Sequence, residues 1–188
     1  HEHHLNDTGR LHHHGTGRWG LMRLRTALIV ATMLLIAVVL QTTLFSQTEV
    51  FVPDLVMLVV IVLSLTRLRP EALLGIAFIG GLGIDLLGSS VLGLRAMVFS
   101  IVCFIALRTR ERADLGRVVI GLWVGLLTVS GVLLLLLIGT LFGQTVLLGE
   151  GLVGLLLLVP VANMILAWLF APLVVRLVDR ESSLYGFA

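Results

Sequence analysis

The chain contains no lysine, a single cysteine, a single tyrosine, and no histidine beyond its fourteenth residue. Each shortage closes a class of function. Cys103 stands alone in the middle of an apolar run, so neither an internal disulfide nor a multi-cysteine metal site can form. It reads as a small buried side chain. The six histidines crowd into the first fourteen positions and cannot readily serve chemistry elsewhere. No Gly-x-Ser-x-Gly turn, His-Glu-x-x-His pair or phosphate loop is present, which leaves no catalytic, cofactor-binding or metal-binding set to propose. Only 13% of residues are charged against 58% hydrophobic, with a mean hydropathy of +1.10, and no water-soluble core has that composition. The sequence pI is about 9.5, yet no basic stretch interleaves with aromatics, so nucleic acid is not an expected partner. Anionic lipid headgroups fit better.

Six apolar runs remain: Thr26 to Phe45, Pro53 to Thr66, Ala72 to Leu87, Leu94 to Leu107, Val118 to Phe142 and Leu152 to Val175. The cations, all arginine, sort by parity. Arg10, Arg18, Arg23 and Arg25 precede the first run, Arg67 and Arg69 follow the second, Arg108, Arg110, Arg112 and Arg117 follow the fourth, and Arg176 and Arg180 follow the sixth. Only Arg95 falls on the other side. Cationic flanks resist translocation, so the pattern predicts an all-α integral membrane protein of six transmembrane helices, with both termini cytoplasmic and three hairpins outward.

Three segments follow: a disordered, histidine-rich cytoplasmic tail over 1–24, a six-helix membrane domain over 25–178, and a short cytoplasmic tail over 179–188. The chain opens on histidine, not methionine, and the tail reads as a tag remnant or flexible extension, with a surface metal site as the alternative. The first run lacks a small-x-small cleavage signal and is expected to stay as an anchor.

Runs two to four are short for a hydrocarbon core that asks for about twenty residues. The link Leu86 to Leu94 is apolar and glycine-rich, so it is expected to dip below the headgroups under cover of other helices, a partner or an aqueous cavity. Pro160 should kink run six, with Asn163 one turn on to satisfy freed backbone groups, and Pro172 marks a second weak point. Small residues should supply helix contacts. Gly121 with Gly125 and Gly139 with Gly143 have the spacing, and Ala77, Gly81 and Asp85 make a stripe expected to face another helix.

Asp85 is the one carboxylate flanked on both sides by apolar helix, and an ion pair with Arg95 across the hairpin is the preferred reading. Asp54 follows Pro53, the arrangement of a helix start with proline at the first helical position and a carboxylate at the positive dipole end; a partner contact is the functional alternative. Gly81-Leu82-Gly83-Ile84-Asp85 has one residue too many for the Gly-x-Gly-Asp of intramembrane aspartyl proteases, and Asp54 starts a helix instead of lining a cavity.

Val52-Pro53-Asp54-Leu55-Val56-Met57-Leu58-Val59-Val60, then Gly83-Ile84-Asp85-Leu86-Leu87-Gly88-Ser89-Ser90-Val91-Leu92-Gly93-Leu94, resembles the rod shape-determining MreD family over about residues 25 to 178. The resemblance implies a six-helix fold related to vitamin-binding S components. It also implies a non-enzymatic scaffold of the bacterial elongation machinery for peptidoglycan synthesis, in the inner membrane. Its implied partners are MreC, RodA with its class B transpeptidase, and MreB. On this footing Pro53, Asp54, Gly81, Gly83, Asp85, Gly88, Gly93 and Arg95 are the candidate partner-binding or structural residues. Two features depart from the family pattern: arginine at 95, where a histidine or neutral residue is expected, and the histidine-rich extension.

The alternative is a substrate-binding S-component-like subunit of a vitamin transporter. Ala27 and Ala31 have the Ala-x-x-x-Ala docking spacing, which is close to background in an alanine-rich run. Three tryptophans and one tyrosine, with Trp19 and Tyr185 outside the runs, make a poor pocket. Within the scaffold reading, the outer hairpin fixes a partner helix's register, and Arg108, Arg110, Arg112 and Arg117 meet anionic lipid or a cytoplasmic protein.

Overall fold

The computed structural model describes residues 16–47, 54–88, 91–110, 116–143 and 152–183. Every regular element among them is an α-helix: α1 (Thr16–Gln47), α2 (Leu55–Leu63), α3 (Pro70–Leu87), α4 (Leu94–Thr109), α5 (Arg117–Leu141) and α6 (Leu152–Ser183). Sequence punctuation explains the boundaries. Pro70 opens α3 with Glu71 in its first turn, where a preset φ and a carboxylate suit the positive dipole end. Gly93 and Gly116 precede α4 and α5 with φ of 89° and 120°, conformations that other residues rarely adopt.

The apolar runs anticipate the helix cores but not both termini. Helix α1 begins at Thr16, inside the stretch assigned to the amino-terminal tail, and α6 continues to Ser183, inside the carboxy-terminal one. All six histidines lie outside the described residues. Six spans were expected, yet among the described residues four helices are long and apolar enough to cross a membrane: α1 through Arg25–Thr43, α3, α5, and α6 through Leu152–Asp179. At 9 and 16 residues, α2 and α4 fall short of the length that a hydrocarbon core demands.

Helix α2 is the axis. It is apolar on every face and touches all five other helices, burying Val56, Met57, Leu58, Val60, Ile61, Val62 and Leu63. The outer surface is apolar as well, with Leu35, Ile79, Leu126, Leu137 and Leu157 exposed, the pattern of a body immersed in lipid. Lipid supplies no hydrophobic drive for helix association, so cohesion rests on close packing.

Small residues provide it. The Ala77, Gly81 and Asp85 stripe faces α4, and a Cβ on Gly81 would come within 2.5 Å of the Ala96 Cα. Gly131 brings α5 against Met57 of α2 and Val102 of α4, and Gly80 sits under Leu34 of α1 and Val56 of α2. Gly121 and Gly125 face Met164 of α6 at ordinary contact distance. Gly139 and Gly143 do not act as a pair. Gly139 is buried, whereas Gly143 lies past the end of α5 with φ 77° and open space around it, so its requirement is conformational.

Cross-helix bonds fix which ends lie together. The Arg67 N–H donates to Asp179 of α6, and the Trp123 indole donates to Thr109 of α4. Arg67, Arg108, Arg117 and Arg176 therefore belong to one end of the bundle. Asp54, Asp85 and Arg95 belong to the other, in agreement with the parity of the arginines.

Gly81 and Gly83 separate packing from propensity. Gly81→Ala should destabilise the chain in detergent by about 1–3 kcal/mol, because its obstacle is backbone that cannot yield. Gly83→Ala meets open space and should be neutral or stabilising by up to about 1 kcal/mol. Thermal unfolding of both variants checks this.

Candidate functional site

A helix that starts inside the membrane leaves its first N–H groups without water, and each needs an acceptor from the protein. Helix α2 poses this problem directly. Counting from the arginine-rich end at 1.5 Å per residue, Asp54 lies roughly 20 Å in from Arg67, Thr128 roughly 16 Å from Arg117, Asn163 roughly 20 Å from Arg176, and Gln41 roughly 24 Å from Arg25. All fall within a core about 30 Å thick.

The acceptors come from α1 and from the cap residue itself, and α6 donates to the cap in turn. The Val56 N–H donates to Gln41 Oε1 of α1 (3.1 Å), the Met57 N–H to Asp54 Oδ1 (3.1 Å), and the Leu58 N–H to the Asp54 carbonyl (2.9 Å). From α6, Asn163 Nδ2 donates to the Asp54 carbonyl and to Thr128 Oγ1 of α5, both at 3.3 Å, while Thr128 passes its own proton to the Val124 carbonyl. Gln41, Thr128 and Asn163 are at most 1% exposed.

Helix α4 meets the same difficulty differently. Its N-cap is Gly93, which has no side chain to offer, and the carboxylate arrives from α3 instead. Asp85 Oδ2 accepts the backbone N–H groups of Arg95 (3.0 Å) and Ala96 (3.4 Å). The close approach at Gly81 lets the carboxylate reach. An anion at a helix amino terminus also meets the positive end of its dipole.

The Arg95 guanidinium turns toward Asp54, with Nη1 3.8 Å from Oδ2. Asp85 and Arg95 do meet, as anticipated, but through carboxylate and backbone. The ion pair that links α4 to the α2 cap went unforeseen. Asp54 is the N-cap itself and Leu55 the first helical residue, whereas Pro53, expected at that position, lies outside the described residues. Gly88 caps α3 with an extended backbone that any residue adopts, and Gly83 has open space where a Cβ would sit. Ser89 and Ser90 lie outside the described residues. Leu86, Leu87, Val91 and Leu92 of the connecting hairpin are exposed, so no described helix covers them, contrary to one of the three expected covers.

Asn163 was expected to tend the Pro160 kink and instead ties α6 to α2 and α5. Gln41 and Thr128 had not been singled out. Their signal is an uncharged polar residue within an apolar run, in a medium where such groups seek partners on neighbouring helices. Chemically, the cluster holds helix ends together. Among the described residues no three histidine, cysteine or carboxylate side chains gather as metal ligands would.

A family model described as rod shape-determining protein MreD matches residues 22–180. No curated protein and no solved structure matches the chain. The chain belongs to the MreD family, and this membership associates it with rod shape determination in a multi-pass membrane protein.

Asp85→Ala should cost about 2 kcal/mol of stability by orphaning two N–H groups, and Asp85→Asn, which keeps an acceptor, less than half of that. The Asp54–Arg95 pair is long, at the outer limit of an ion pair, so a double-mutant cycle should give a coupling below about 1 kcal/mol. Chemical unfolding in detergent measures both.

Proposed function

We propose that this MreD-family chain is a non-enzymatic scaffold of the bacterial cell-elongation machinery, seated in the inner membrane. Both termini are cytoplasmic on this reading, the Asp54 end faces outward, and the six-helix arrangement is of the S-component kind. MreC and RodA with its class B transpeptidase are its membrane partners, and MreB is its partner at the arginine-rich face.

One observation carries the proposal. The α3–α4 hairpin is pinned by Asp85 on the α4 amino terminus and by the Gly81–Ala96 approach, yet its leucines point away from the rest of the chain. A fixed backbone presenting Leu86, Leu87, Val91 and Leu92 is a preorganised apolar knob, which suits docking because little ordering entropy is lost on contact. The buried polar side chains meanwhile bond to helix ends and to one another. That arrangement favours assembly over the vitamin-binding alternative.

Photo-crosslinking in native membranes tests the proposal, with the reactive group at residue 87 or 92 and a control at exposed Leu126 on α5. A covalent adduct with the bitopic partner MreC is expected from the hairpin positions, and it should weaken in Asp85→Ala. Adducts equally abundant from residue 126, or none from the hairpin, would count against docking there.

A further inference from the structure

Helix α6 is held unequally along its length. Below Pro160, Ala167, Ala171 and Val178 are buried in the main core, which contains the axis helix α2. Above it, Leu152–Val159 joins a separate small cluster whose other buried members, Val132 and Leu136, both belong to α5. Val159 is the only buried residue of this segment, and none of its side chains is polar. Leu152, Leu155 and Leu156 pack on the same cluster, so among the described residues the segment's core contacts are apolar and made with α5.

Pro160 marks the boundary. It lacks an N–H, so the Leu156 carbonyl loses its helical donor, and a break in the bond ladder is where a helix bends. One turn further, Asn163 is fully buried and spends its amide hydrogens on α2 and α5, which anchors α6 just below the break. Its Oδ1 accepts nothing among the described residues, so this side chain makes no bond to the segment above, which hangs on backbone bonds alone. Pro172 makes the same covalent break but sits between Ala171 and Val174, both part of or packed on the main core.

We propose that Pro160 is a hinge on which Leu152–Val159 swings away from α5, with Asn163 as the fixed pivot. The swing opens a crevice lined by Val132, Leu136 and Val159 at the Asp54 end of the bundle. This device is independent of the docking role assigned to the α3–α4 hairpin.

Electron–electron distance measurements on the full chain in lipid nanodiscs test the hinge, using spin labels on a Cys103→Ala background. One pair joins exposed residues 79 and 157, and a control pair joins residue 79 to exposed residue 165, below the pivot. The 79–157 distribution should be at least about twofold broader than the control, as a segment moving as a unit requires. Pro160→Ala should narrow it to the control width, and Pro172→Ala should leave it unchanged. Equal widths in the unmodified chain, or a breadth that survives Pro160→Ala, would overturn the hinge.

Discussion

A helix that begins below the membrane surface must bring acceptors for its own first turn, because lipid offers none and each unmet N–H costs several kcal/mol. Helix α2 is nine residues long and sits at the centre of the bundle, so its amino terminus cannot reach water by length alone. Gln41 from α1, Asp54 at the cap and Asn163 from α6 meet at that terminus, and Arg95 from α4 and Thr128 from α5 bond to them. Asp85 does the corresponding work for α4 from the end of α3. All six helices are thereby joined through polar groups at one level of the bundle.

Polar contacts specify the arrangement, and small residues permit it. Gly81 lets α3 and α4 approach until the Asp85 carboxylate reaches backbone, and Gly131 lets α5 close on Met57 and Val102. A larger residue at Gly81 would separate a donor from its acceptor as well as disturb packing, so the two effects are coupled there. The same geometry accounts for the exposed hairpin. Once Asp85 has fixed the start of α4, Leu87 and Leu92 have no place inside and remain on the surface. A rigid apolar projection next to a charged pair is a reasonable shape for a component of a membrane assembly.

Much of this was legible in the residues. Hydrophobic runs bounded by arginine gave helix cores to within a few residues, and the parity of the arginines agreed with the ends that Arg67–Asp179 and Trp123–Thr109 bring together. The stripe through Gly81 and Asp85 could be placed against a neighbour because its spacing is that of one helix face. Gln41 and Asn163 could not be paired with α2, since spacing within one helix says nothing about which other helix lies opposite. The Arg95–Asp54 contact was hidden for the same reason: Asp85 is nearer in sequence, but its carboxylate is aimed at backbone. Helix continuation through Thr16–Arg25 was obscured by glycine and arginine content, which reads as polar and flexible.

Amide hydrogen exchange in the lipid-reconstituted chain reaches the central claim most directly, because it reports on the α2 first turn itself. The Val56 and Met57 amides should exchange as slowly as those of the buried core in the unmodified protein. Gln41→Ala should speed Val56 by about tenfold, the effect of losing one buried hydrogen bond, with a smaller effect on Met57, which Asp54 still caps. Fast exchange at Val56 in the unmodified chain, or a rate indifferent to Gln41, would contradict the polar layer as what holds α2 in place.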